Sequence, residues 1–159
     1  MANLRNLREA FVKAEKYRRD WLDYARAVRG PRKKDGDEAK PPDRDYALET
    51  LWYGGCRVRR RHHERSLRPG GTVSGPVMMA LADFTMYLAV LSAIGWVPLA
   101  VTTNLSINFL KRPGARDLLA EAQLFKLGKR LAVGEVALRS DGDDDLVAHV
   151  TSTYSIPAT

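Results

Sequence analysis

Pro69-Gly70-Gly71-Thr72-Val73-Ser74-Gly75-Pro76-Val77-Met78-Met79-Ala80-Leu81-Ala82-Asp83 places one carboxylate in an apolar stretch that runs on from Val77 to Ile94. The two glycines and the Ser74-Gly75-Pro76 run describe a tight turn feeding a helix start, with Ser74 or Gly75 as N-cap and Pro76 in the first turn. Beyond the turn the residues are apolar on nearly every face, which predicts a helix buried all round instead of one lying on a surface. Asp83 is the only charged residue in it. Burying an ionised carboxylate without partners costs several kcal/mol, so a chain that places one there uses it or pairs it.

The stretch from Val77 to Val101 is also close to the ~20 residues that a membrane span needs, and basic residues precede it. Asp83 argues against a span, since it would cost roughly 2.5 to 3.5 kcal/mol on the insertion scale, and Gly95, Trp96 and Pro98 interrupt the run. No membrane span is expected. Downstream, Leu99 to Leu110, Asp117 to Leu127, Leu131 to Arg139 and Leu146 to Ile156 have strand character. Alternation is clearest where Asn104, Ser106 and Asn108 interleave with Leu105, Ile107 and Phe109. The short connections between these runs predict an antiparallel meander. Upstream, Tyr46 to Tyr53 and Cys56 to His63 flank the Gly54-Gly55 pair as two further strands, and the arginines of the second make it an edge or half-exposed strand. The expected class is α+β, one long buried helix wrapped by one curved antiparallel sheet.

From Leu4 to Val28, Leu7, Phe11, Ala14, Tyr17, Trp21, Tyr24 and Val28 recur in steps of three and four, which predicts an amphipathic helix that Gly30-Pro31 stops. Residues 32–45 are polar and proline-bearing and read as a linker. The expected organisation is an N-terminal helix over 1–30, a linker over 31–45 and a globular domain over 46–159. A chain of 159 residues that is 45% hydrophobic supports one core and not two.

A single cysteine, Cys56, excludes an internal disulfide and a cysteine-rich metal site, and no signal-peptide pattern opens the chain, so a cytoplasmic protein is expected. His62 and His63 lack clustered companion ligands, and no metal is expected. Met78, Met79, Met86, Trp21, Trp52 and Trp96 read as core or interface residues. The net charge of +7 is uneven, with residues 1–68 at +8 and residues 69–159 at −1. The basic first helix and the Arg57 to Arg61 run could meet nucleic acid, an acyl carrier protein or a membrane surface. The favoured reading is a helix packing its apolar stripe on its own dimer with its charges in water, and a nucleic-acid partner is not expected.

The element order resembles the hotdog fold, and over about Leu48 to Pro157 the residues resemble the PaaI-like acyl-CoA thioesterases. The resemblance is carried by Leu67 to Pro76, Leu81-Ala82-Asp83, Asn104 to Leu110 and Gly128-Lys129-Arg130-Leu131-Ala132. In that family the helix usually opens on His-Gly-Gly, with an aspartate nine residues after the histidine. Ser74, Gly75, Pro76 and Asp83 occupy the matching places, and Arg68 stands where an asparagine is common.

The resemblance implies that Asp83 acts as nucleophile or as a general base for water, and that the Gly75 backbone N–H holds the oxyanion. Ser74 can cap the helix but cannot act as an imidazole. Thr102, with Thr103 beside it, matches a hydroxyl that assists water in some members. It further implies that Arg68 and Gly71 lie at the substrate, and that Lys111, Arg112, Lys129 and Arg130 can meet coenzyme A phosphates. A homodimer is implied, with a homotetramer as a dimer of dimers also open, and with sites between subunits so that Asp83 of one works with Gly75 of the other. The expected reaction is acyl-CoA hydrolysis with no metal or redox cofactor. The alternatives are a structural Asp83, a non-catalytic acyl-CoA-binding hotdog regulator, and a thioesterase acting on acyl carrier protein with the basic stretch as its docking face.

Overall fold

A computed structural model describes residues 46–95 and 97–158; the helix expected over 1–30 and the linker over 31–45 lie outside the described residues. Strands β1 (Tyr46–Trp52) and β2 (Gly55–Arg60) form a hairpin, and β3 (Leu67–Arg68) and β4 (Thr72–Val73) form a second, very short one. Helix α1 (Gly75–Ile94) follows, then β5 (Val101–Phe109), β6 (Leu118–Leu127), β7 (Leu131–Ser140) and β8 (Leu146–Ser155). Among the described residues the main sheet has six strands in the order β1-β2-β6-β7-β8-β5, every neighbouring pair antiparallel. One helix lies across one face of this sheet, as the hotdog resemblance implies.

Two expectations about the sheet are corrected. Only β6, β7 and β8 form a meander, because β5 crosses to the far edge and pairs with β8. The place beside β6 that a simple meander would give to β5 is already taken by β2. For the same reason β2 is an interior strand and not an edge. Its arginines are accommodated on the outer face, where Arg57 pairs with Glu121 at 2.7 Å and Arg59 meets Glu49, Asp117 and Asp141. Arg60 turns inward and is buried. Two of the four arginines from Arg57 to Arg61 are therefore paired with acids and a third is buried, so the run forms no continuous basic strip. Strand β2 also ends three residues early, at Arg60, where the His62 N–H donates to the Asp117 carboxylate and the chain bends into a 3-10 turn over Glu64–Ser66.

The inward rows of the sheet are built from small residues, Ala120, Ala122, Ala132 and Ala148, which let the helix approach closely. Leu81, Ala82, Met86, Ala89 and Val90 press into them with no exposed surface. Each large side chain buried this way contributes about 1.5–3 kcal/mol. Two polar ties fix the position of the helix along the sheet: the Gly54 N–H donates to Ser92 Oγ at 2.9 Å, and the Cys56 thiol donates to the Thr85 carbonyl at 3.2 Å. Burial, and then Glu121, push that thiol far above its ordinary range, so it stays protonated.

The helix is not buried all round. Pro76, Met79 and Ala80 are exposed and Asp83 is half-buried. This apolar strip adjoins β5, whose Val101 and Phe109 are each more than half exposed. Helix α1 is long and apolar enough to cross a membrane, yet it lies against the sheet as the core helix of the fold.

Candidate active site

The site begins with the hairpin ahead of the helix. Gly70 and Gly71 have φ of 104° and 74°, a region in which L side chains are strained, and the Gly71 N–H closes the turn on the Arg68 carbonyl at 3.0 Å. The next bend is buttressed from below. The Ser74 N–H donates to the Ser66 carbonyl at 3.1 Å, and the Ser66 hydroxyl accepts from Arg60 Nη2 at 2.6 Å. Ser74 occupies the N-cap in extended conformation, but its side chain makes no capping hydrogen bond. One of the two N–H groups that a cap serves is absent, because the second helical residue is Pro76.

Gly75 opens the helix, and its N–H has no hydrogen-bond acceptor among the described residues. It is one of the orphan first-turn donors, directed out of the helix where the macrodipole favours negative charge. The ring of Phe109 lies over it so closely that a Cβ on residue 75 would stand 3.2 Å from Phe109 Cζ. Glycine keeps that approach open.

Asp83 lies eight residues on, about 12 Å farther along the axis. Its Oδ1 accepts from Thr102 Oγ1 at 2.6 Å and from the Tyr154 hydroxyl at 2.8 Å, and the Tyr154 hydroxyl is also 3.0 Å from the Asp83 carbonyl oxygen. Oδ2 has no hydrogen bond among the described residues. Thr102 reaches the carboxylate because of an irregularity in β5. Strict alternation from Ile107 and Leu105 would turn Thr103 inward, but the register with β8 shifts between Thr102 and Asn104, so Thr102 pairs with Tyr154 and takes the inward place. The spare residue, Thr103, donates its hydroxyl to the Thr153 carbonyl at 3.1 Å.

Tyr154 is the site residue that sequence reasoning missed. It ends the inward row Ala148, Val150, Ser152, Tyr154 of β8, and a phenol closing a row of small residues opposite Asp83 is the signal that could have found it. Burial first, opposed by the Thr102 hydrogen bond and reinforced by Asp83, pushes its hydroxyl far above the ordinary tyrosine range, so it acts as a donor.

A cleft of about 450 Å³ opens at the helix N-terminus, lined among others by Arg68, Thr72, Gly75, Phe109, Lys111 and Arg112. Lys111 is held by Asp143 and Asp145, each at 2.8 Å, and the two carboxylates raise its pKa. Arg68 and Arg112 are exposed and have no carboxylate partner among the described residues. Gly71 shapes the turn and does not line the cleft.

Lys129 and Arg130 stand in the β6–β7 turn, where Leu131 is in register with Ser155 and Ser155 with Val101. They thus share the Thr102 end of the sheet with Asp83, while Arg68, Gly75, Lys111 and Arg112 gather at the other end. Among the described residues no three His, Cys, Asp or Glu side chains are grouped to hold a metal.

Chemically, the Asp83 end offers an oriented carboxylate with one free oxygen, able to take a proton from water, and the Gly75 end offers an oxyanion donor beside cations. About 12 Å of helix separates them, too far for one reacting carbon to touch both within a single chain.

Residues 70–147 match the family model described as Thioesterase superfamily. A protein of Silicibacter sp. TM1040 described as a candidate thioesterase is 49% identical, with a TM-score of 0.67 over 72% of this chain and 81% of that one. The phenylacetic acid degradation protein PaaI of Thermus thermophilus, solved as a mutant, is 27% identical, with a TM-score of 0.63 over 70% of this chain and 93% of that one. A hypothetical thioesterase of Streptococcus pneumoniae TIGR4, solved with coenzyme A, is 24% identical and shares the fold, with a TM-score of 0.65 over 72% of this chain and 87% of that one. With its helix laid across an antiparallel sheet and its turn-to-aspartate spacing kept, this chain belongs to the thioesterase superfamily and is a PaaI-like hotdog thioester hydrolase.

Proposed function

We propose that the protein is an intracellular acyl-CoA thioesterase whose site is completed by a second copy of the chain. The observation that carries this is the carboxylate of Asp83, with one oxygen held by Thr102 and Tyr154 and the other free, on an apolar strip open to solvent. Among the described residues, strand β5 is an edge of the sheet, with an unpaired row of backbone groups beside that strip. Antiparallel pairing of β5 with its symmetry mate, centred near Leu105 and Ser106, sets Thr102 of one copy opposite Phe109 of the other. Asp83 then faces Gly75 of the partner subunit, and the gap within one chain ceases to matter. The same operation brings the partner's Lys129 and Arg130 toward Lys111 and Arg112, a basic mouth suited to the phosphates of coenzyme A.

In the reaction that follows, Asp83 Oδ2 accepts a proton from water as the water oxygen bonds to the thioester carbonyl carbon. The charge that develops on the carbonyl oxygen is met by the N–H of Gly75 of the partner subunit. The tetrahedral intermediate collapses with cleavage of the C–S bond. The departing sulfur takes up the proton from Asp83, leaving a carboxylic acid and free coenzyme A. The coenzyme A bound to the pneumococcal relative supports this substrate class. The test is the hydrolysis of a panel of acyl-CoAs by wild type and by Asp83→Ala. A loss of roughly 10²- to 10⁴-fold in kcat is expected, the usual contribution of a positioned base. Equal rates would remove Asp83 from the mechanism.

A further inference from the structure

We infer that Tyr154 is the positioning residue of the Asp83 base: its buried hydroxyl, together with Thr102, ties down Oδ1 so that Oδ2 alone meets the water. The inference rests on the reading of Asp83 as the base. An untied, half-buried aspartate can turn about its Cβ–Cγ bond, and a half turn exchanges the oxygen that faces the substrate. Two donors on the same oxygen, at 2.6 and 2.8 Å, remove that exchange. They also fix Oδ2, which no described residue engages, in place before substrate arrives, so its proton transfer needs no reorientation of the carboxylate.

The two donors are unequal in rigidity. Thr102 belongs to an exposed stretch of β5, next to the extra residue of that strand. Tyr154 is 2% exposed and sits on a strand paired on both sides, by β7 and by β5. Its ring stacks on Tyr87 with centroids 6.1 Å apart, and Tyr87 is itself anchored by donating to the Pro98 carbonyl at 3.2 Å. The Tyr154 hydroxyl also reaches the Asp83 main-chain oxygen at 3.0 Å, so it references the carboxylate to its own backbone.

Tyr154→Phe removes the hydroxyl and keeps the ring. Its kcat for acyl-CoA hydrolysis is expected to fall about tenfold with KM within about twofold of wild type, because substrate binding does not use the phenol while the timing of proton transfer does. Combined with Asp83→Ala, the substitution is expected to cause no further loss, since it acts only through that carboxylate. Unchanged kcat, a change confined to KM, or a full further loss in the Asp83→Ala background overturns the inference. A Tyr154→Phe protein that fails to fold also overturns it, by assigning the hydroxyl to stability. If Asp83→Ala hydrolyses as fast as wild type, the reading of Asp83 fails instead. If Asp83→Ala is inactive while Tyr154→Phe is normal, only the role of Tyr154 falls.

Discussion

The two ends of the seam between α1 and β5 are built on opposite principles. At the Thr102 end the functional group is held from several sides within one chain: Asp83 is met by a threonine and a tyrosine, and the tyrosine by a second aromatic ring. At the Phe109 end little is tied down. The Gly75 N–H has no acceptor among the described residues, Phe109 is half exposed, and Arg68 and Arg112 have no anion there. On the mechanism proposed above, the difference separates a group that must be aimed before substrate arrives from groups whose partners are the substrate and a second copy of the chain. A base gains from rigidity, whereas an oxyanion donor and a phosphate mouth gain from being left unsatisfied.

The sharpest way to break this contrast is to damage the two ends in separate chains. Gly75→Val puts a branched side chain where Phe109 already crowds residue 75, and its kcat is expected to fall roughly 10²- to 10³-fold. Asp83→Ala should be at least as impaired. Co-expressed, the two inactive chains are expected to recover about a quarter of wild-type activity, since half of randomly formed dimers are mixed and each of those has one intact site. No recovery in purified mixed dimers would mean that both ends serve the same chain.

The open end can be probed by comparing its two neighbouring cations. Arg112→Gln is expected to raise KM for acyl-CoA several-fold with little change in kcat, an effect that shrinks as salt is added. Lys111→Gln should do less, because Asp143 and Asp145 already occupy Lys111. Equal effects would indicate that the two aspartates release Lys111 when substrate binds.

The smallest effect concerns rigidity without catalysis, in the Arg59 cluster on the outer face of the sheet. Arg59→Met is expected to lower Tm by a few degrees at neutral pH and to leave kcat unchanged. The hydrogen bond from Arg59 holds Asp141 below the ordinary carboxylate range. The stabilisation is therefore present above the unfolded carboxylate pKa of about 3.9 and fades as pH falls through the lower folded value. The Tm difference between wild type and Arg59→Met should thus be largest at about pH 5 to 7 and should narrow toward about pH 2 to 3 in thermal melts.

What the sequence disclosed follows from the range of the forces involved. The helix, its glycine turn and the strand runs are local patterns of apolar spacing and turn chemistry, and they appear with boundaries shifted by a few residues. Asp83 stood out because a charge in an apolar run is visible without knowing the fold. The path of β5 was not legible, because the connection over residues 110–117 permits either edge of the meander and the choice depends on β2 already occupying one of them. Tyr154 was hidden because nothing nearby in the chain marks it; its partner lies 71 residues away. The compensation of Arg57 and Arg59 by Glu121, Asp117 and Asp141 is likewise long-range, so a basic run read in isolation overstated the charge it presents. The full burial expected for α1 failed in a definite place, along Pro76, Met79 and Ala80, the strip that the described residues leave exposed.

The extra residue in β5 carries a consequence for how the strand tolerates change. Because Thr102 and Thr103 are the same amino acid, deleting either yields the same sequence. In the straightened strand a threonine still stands in register with Tyr154. The duplication thus works as a spare, so that the hydroxyl beside Asp83 survives a single-residue loss that, with any other neighbour, would have exchanged it for a different side chain.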